Sequence, residues 1–181
     1  MLPNIVLIGF MGSGKTSVGR HLSALTGHRF LDTDQIIREK TKMEITEIFS
    51  TLGEEAFRKL ETEVLNEIVG SCGIILATGG GIVLREQNRQ LLHQIGIVIW
   101  LDAQEEVLFQ RISHNRKRPL LLTENPRATF HNLFLQRLPI YQKTAHTRID
   151  STHLTHLETA KKILTAAIKI SKNLYNRSSN S

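Results

Sequence analysis

Eight consecutive residues, Gly9-Phe10-Met11-Gly12-Ser13-Gly14-Lys15-Thr16, fit the pattern G-x-x-x-x-G-K-T. Each fixed position has a chemical reason. The glycines let the backbone curl so that successive N–H groups point inward at phosphate oxygens, at the positive end of the helix dipole that follows. Lys15 then reaches the β and γ phosphates, and the Thr16 hydroxyl is placed to ligate Mg²⁺, which keeps several waters and bridges nucleotide phosphates. Gly12, Ser13, Gly14, Lys15, Thr16 and Ser17 are the ATP-binding candidates, and the chemistry is phosphoryl transfer from a nucleoside triphosphate.

A transferred phosphoryl group needs an acceptor. Phe30-Leu31-Asp32-Thr33-Asp34 ends a short apolar run with two carboxylates separated by one residue. Taken alone, an Asp here reads equally well as the N-cap of a helix beginning near Gln35. Beside a phosphate loop, one carboxylate can orient an alcohol and accept its proton while the other serves the metal. On a strand-like segment, odd spacing would keep both on one face. Arg58 lies in Gly53-Glu54-Glu55-Ala56-Phe57-Arg58-Lys59-Leu60-Glu61 and borders the buried stripe of a helix; pairing with Glu54, Glu55 or Glu61 accounts for it from the pattern alone. Thr78-Gly79-Gly80-Gly81 reads either as a permissive turn or as a bare backbone against which a small substrate lies. Arg111, Arg116, Lys117 and Arg118 form a basic segment before Pro119. It fits a nucleic-acid patch, a solvated loop, or a lid closing an arginine over phosphates and excluding water.

These residues must be held by something. Short β-branched runs recur at Ile5–Ile8, Phe30–Leu31, Ile74–Ala77 and Ile97–Leu101, with a weaker one at Thr147–Ile149. They read as apolar throughout, so the spacing predicts strands buried on both faces. Between them lie apolar stripes at helical spacing: Val18, Leu22 and Leu25; Phe57, Leu60, Val64 and Ile68; Leu157, Ala160, Leu164 and Ala167. The alternation predicts an α/β fold, a parallel sheet with helices on both sides. Two stretches break it, Ile36 to Lys59 and Ser113 to Asn125, and both read as insertions above the carboxyl ends of the strands, where ligands collect in such sheets.

At 181 residues the chain has room for one domain with a full core. No apolar run approaches the length of a membrane span, and the 40% apolar and 22% charged composition excludes a disordered chain. Residues 1–90 carry 10 basic and 11 acidic side chains, and residues 91–181 carry 13 and 6, so the +6 net charge arises in the second half. The one cysteine, Cys72, excludes an intrachain disulfide, and MLPNIVLIGF lacks the features of an export signal. A cytoplasmic protein is expected. The polar tail from Lys172 onward is expected to fray, with 173–181 disordered.

Taken together, GFMGSGKT, DTD, GEEAFRKLE, TGGG, RPLL and RLPIY, in this order from about Asn4 to His153, resemble shikimate kinase, a small phosphate-loop kinase of the aromatic amino-acid pathway. The resemblance implies a five-stranded parallel sheet of order 2-3-1-4-5 within residues 1–172, a substrate-binding insertion at about 34–60 and a lid at about 112–125. It implies transfer of the ATP γ-phosphate to the 3-hydroxyl of shikimate, with Mg²⁺. A monomer is expected because one sheet uses up the apolar helix stripes, and neither nucleic acid nor membrane is expected as a partner. By position, Asp34 binds the acceptor hydroxyls and is the base, with Lys15 and Arg118 the other catalytic residues. Thr16 and Asp32 serve the metal, Arg58 and Arg137 hold the carboxylate by guanidinium forks, and Gly79, Gly80 and Gly81 lie against the ring. Arg111 packs on adenine, Arg118 closes on the phosphates and His153 stands near the nucleotide. The sequence departs from many members at Asp150-Ser151-Thr152-His153-Leu154-Thr155, which carries no arginine or proline. A gluconate kinase is the nearest alternative, a nucleoside monophosphate kinase a more distant one. A nucleic-acid module is disfavoured by the lack of aromatics interleaved with the basic segment.

Overall fold

Residues 2–113 and 123–178 are described by the computed structural model. Strand β1 (Ile5–Ile8) leads into helix α1 (Lys15–Thr26), β2 (Arg29–Asp32), and three helices, α2 (Thr33–Thr41), α3 (Ile45–Thr51) and α4 (Gly53–Ile68). Then follow β3 (Ile74–Ala77), a 3₁₀ turn at Ile82–Leu84, α5 (Glu86–Ile95), β4 (Ile97–Asp102), α6 (Glu105–Ser113), α7 (Pro126–Thr144), β5 (Thr147–Asp150) and α8 (His156–Ser178). The sheet is wholly parallel, in the order β2-β3-β1-β4-β5.

Strict alternation along β1 explains why its four residues are all apolar and all buried. Val6 and Ile8 join one core with Leu76, Trp100, Ile37, Ile48 and Val64, whereas Ile5 and Leu7 join a second with Ile75, Val18, Leu22, Ala160 and Ala167. The first core lies beneath α2 to α7 and the second beneath α1 and α8. Each Val, Leu or Ile among them, taken from water, contributes about 1.5–3 kcal/mol.

The expectation of strands buried on both faces fails at the two edges. Arg29 is exposed at the start of β2, and Arg148 and Asp150 are exposed on β5, because an edge strand has a neighbour on one side only. Leu25 and Leu157, placed on core stripes by periodicity, are 42% and 41% exposed; they stand at the last and first turns of their helices, past the edge of the sheet. The tail is also different from its expectation, since α8 stays helical to Ser178. Ile168, Ser171, Lys172 and Tyr175 recur at helical spacing and line a shallow groove with Leu2 and Pro3, so the polar end of the helix still has a neighbour. The stretch 34–60 comprises α2, α3 and the first half of α4. Most of the expected lid at 112–125, Arg118 included, lies outside the described residues.

The register sets the carboxyl ends of β2, β3 and β1 side by side: Asp32 opposes Ala77, and Ala77 opposes Leu7. The phosphate loop, the paired carboxylates and the glycine triplet therefore leave the sheet at one edge, which is what topology alone could not guarantee from sequence distance.

Candidate active site

Gly12 and Gly14 of the phosphate loop hold left-handed φ values of 83 and 88°, a conformation favourable to glycine. Gly14 is the N-cap of α1. The Lys15 ammonium is gathered onto the loop, donating to the carbonyls of Gly9 (2.7 Å) and Phe10 (2.9 Å) and to Ser13 Oγ (3.2 Å). Ser13 is thus buried as a support, and Gly12, Gly14, Lys15, Thr16 and Ser17 line the cavity above the loop. Phe10 anchors the loop from below, edge-on to Phe130 and Phe134 of α7.

Both readings of Asp32 hold at once. Its Oδ1 accepts from the backbone N–H groups of Asp34 (3.0 Å) and Gln35 (3.3 Å), capping α2, and its Oδ2 accepts from Thr16 Oγ1 at 2.8 Å. The helix begins at Thr33, earlier than Gln35, so Asp34 belongs to the first helical turn. Strand alternation is therefore not what aligns the two carboxylates. Helix geometry turns Asp34 toward the glycine triplet. Thr33 between them is fully buried and its Oγ1 accepts the N–H of Gly79 at 3.0 Å, tying α2 to the β3 loop.

A second cavity opens beside the first. It is lined by Ile45, Phe49, Phe57, Arg58, Glu61, Gly81 and Arg137, and it shares Met11, Asp34, Gly79 and Gly80 with the cavity above the loop. Arg58 is only 6% exposed. Its fork donates to Glu61 Oε2 at 2.6 Å and to Glu54 Oε1 at 2.9 Å, while Glu55 pairs instead with Arg85. Burial works against the Arg58 charge, but Glu61 and Glu54 outweigh it and hold its pKa above the ordinary value. Arg137 is equally buried, with its guanidinium 5.5 Å from the centre of the Phe10 ring. Four residues on, Tyr141 donates to the Gly80 carbonyl at 2.6 Å, and burial pushes its phenol pKa upward. A side chain at Gly79 would stand 2.7 Å from Asp34 Oδ1, and one at Gly81 would collide with the Arg58 fork. At Gly79 and Gly81 the bare backbone is required by the close approach of Asp34 and Arg58.

Sequence reasoning passed over four contributors. Glu61 entered only as a partner for Arg58; Thr33 and Tyr141 were inside quoted motifs but had no role; His156 was given no role. His153 is exposed in the turn after β5 and is not among the residues that line the loop cavity, whereas His156, first residue of α8, is. Its Nε2 lies 3.3 Å from where a Gly14 side chain would begin. Arg111 also lines this cavity and reaches the Gly12 carbonyl at 3.4 Å. Among the described residues no helix is long and apolar enough to cross a membrane.

A donor set of one hydroxyl and one carboxylate, Thr16 and Asp32, fits Mg²⁺, which binds proteins through few oxygens and takes its remaining ligands from water and phosphate. Among the described residues no cluster of three or more His, Cys, Asp or Glu competes for a metal.

The family model of shikimate kinase matches residues 11–168. A shikimate kinase from Thermodesulfovibrio yellowstonii is 45% identical over 163 residues, covering 90% of this chain and 94% of that protein. The solved structure of a shikimate kinase from Acinetobacter baumannii in complex with shikimate superposes with a TM-score of 0.90 at 43% identity, over 93% of this chain and 94% of that one. A gluconokinase from Sinorhizobium meliloti shares the fold alone, at a TM-score of 0.58 and 18% identity over 97% of each chain. With the phosphate loop and the arginine-lined pocket opening onto one another at the sheet edge, and with relatives this near over nearly their whole length, the chain belongs to the shikimate kinase family.

Proposed function

We infer that this chain transfers the γ-phosphoryl group of ATP to the 3-hydroxyl of shikimate, giving shikimate 3-phosphate and ADP. The observation that carries the reading is the position of Asp34 on the shared wall of the two cavities. A nucleotide held by the phosphate loop and a hydroxy acid held by Arg58 and Arg137 would meet at that carboxylate. The acceptor oxygen attacks the γ-phosphorus, the bond to the β–γ bridging oxygen breaks, and the hydroxyl proton passes to Asp34. Lys15 leaves its carbonyl acceptors for the phosphate oxygens and offsets their charge. Gly12 to Ser17 hold the phosphates, Arg111 and His156 flank the nucleotide, and Gly79 to Gly81 offer a wall without side chains to the ring. Arg118, outside the described residues, is assigned to the phosphates on resemblance. Mg²⁺, held by Thr16 and Asp32, supplies charge neutralisation at the phosphates when bound.

The lone cysteine, Cys72, fits a reducing, cytoplasmic setting. ADP release measured against a panel of acceptors tests the reading. Turnover with shikimate is expected to exceed that with gluconate or nucleoside monophosphates by at least about a hundredfold, since polar groups built for one acceptor are left unpaired by another. Turnover with another acceptor and none with shikimate would overturn it.

A further inference from the structure

Among the charged residues that line the shikimate pocket, Glu61 binds no part of the substrate in the account above, yet at 0% exposure it is more deeply buried than Arg58 or Arg137. One oxygen, Oε2, accepts from Arg58 at 2.6 Å. The other, Oε1, has no hydrogen-bond partner among the described residues. It lies 2.9 Å from the point where a Gly79 side chain would begin, the same point that Asp34 Oδ1 approaches to 2.7 Å. Two carboxylates thus converge on one missing methyl group.

The charged surroundings can be named element by element. From α2 comes Asp34; from α4 itself Arg58 and, beyond it, Glu54; from α7 Arg137. From α3 come the apolar Ile45 and Phe49, the latter against Arg58, and from α5 and the turn before it Asn88 and Arg85 meet Thr62, one residue on. Burial pushes the Glu61 carboxyl up to about 7, with Asp34 adding to the push and Arg58 and Arg137 opposing it. A negatively charged substrate seated on Arg58 and Arg137 would cancel part of what opposes protonation.

We propose that Glu61 is a positioning residue that holds the Arg58 fork for the substrate carboxylate and takes up a proton as shikimate binds, so that shikimate affinity follows the ionisation of this one buried side chain. The proposal rests on the assignment of Arg58 to the substrate carboxylate. The sign is fixed by charge. Below the pKa of the empty pocket Glu61 already carries its proton, and affinity does not depend on pH. Above it, the bound anion must draw a proton in, and affinity falls by up to tenfold per pH unit until the pKa of the occupied pocket is passed.

Calorimetric titration of the full chain with shikimate tests this. For the unaltered protein, Kd is expected to be level below pH 6.5 and to rise roughly three- to tenfold between pH 6.5 and 8.5. At pH 7.5, binding heats in buffers of different ionisation enthalpy should report uptake of a fraction of a proton. Glu61→Gln keeps the size and the acceptor for Arg58, and should level the Kd profile and abolish the buffer dependence, with a larger effect on KM for shikimate than on kcat. Glu61→Asp, which restores a carboxyl, should restore a pH dependence with a shifted midpoint. Heats that do not depend on buffer in the unaltered protein, a Gln variant that keeps the full pH dependence, or an Asp variant with an unmoved midpoint would each overturn the proposal. Arg58→Ala tests the layer beneath: binding of shikimate as tight as that of the unaltered protein would bring down the assignment of Arg58 and the proposal with it, whereas binding weakened at least tenfold upholds the assignment, and the buffer heats and the Glu61 variants then decide the proposal.

Discussion

At the scale of single residues, Asp34 and Asp32 show how one spacing can serve two ends. Asp32 is engaged at both oxygens, by the α2 cap and by Thr16, so its substitution would disturb helix and metal together. Asp34 projects onto the shared cavity wall from the first turn that Asp32 caps. Asp34→Asn is therefore expected to lower kcat by about 10²–10⁴-fold, the usual contribution of a general base, while ATP affinity, measured by nucleotide titration, changes by less than about threefold. A comparable loss of nucleotide binding would count against the base assignment. The phosphate loop was legible from the sequence because its chemistry is local: eight neighbouring residues carry it. Arg58 was not, because pairing with glutamates on its own helix describes it fully until Phe57 and Arg58 are seen buried, with the Arg58 fork against Gly81.

At the scale of elements, the site depends on joints between segments distant in sequence. Thr33 on α2 takes the Gly79 amide, and Tyr141 on α7 gives its hydroxyl to Gly80, so the triplet is held from two sides. Thr33→Val should leave a buried amide without an acceptor, costing about 1–3 kcal/mol of stability in urea unfolding, and should raise KM for shikimate more than KM for ATP. Equal changes in both would show that the joint serves the whole edge of the sheet. Strand positions and the order of elements were legible because fully apolar runs alternate with helical stripes. Helix ends and edge strands were less so: Leu25, Leu157 and Arg148 obey the local pattern and differ only in lying where the sheet stops. The place of His156 was hidden in the same way, since spacing in the turn after β5 does not show which imidazole borders the loop cavity.

At the scale of the whole molecule, two arginines of the basic second half, Arg111 and Arg137, line the cavities. Away from the site, the β4–β5 edge carries a pH-sensitive joint. His146 Nδ1 accepts the Val98 N–H at 3.0 Å, its ring packs 4.8 Å from His93, and burial together with His93 lowers its pKa below 6.5. The folded state thus disfavours the proton: this stabilising contribution is present above the unfolded pKa and is lost as pH falls through the folded value. The melting temperature is expected to drop by a few degrees between pH 7 and 5.5, and to drop less in His146→Gln when followed by circular dichroism. Lastly, because Met11, Asp34, Gly79 and Gly80 border both cavities, no partition separates the two ligands. A single molecule that joins a nucleotide fragment to a cyclic polyhydroxy acid through a tether of a few atoms would occupy both at once. Its second half would bind at an effective concentration near the millimolar range, and the tether would run past the Asp34 carboxylate, where a hydrogen-bond donor in it would add selectivity over kinases that share only the phosphate loop.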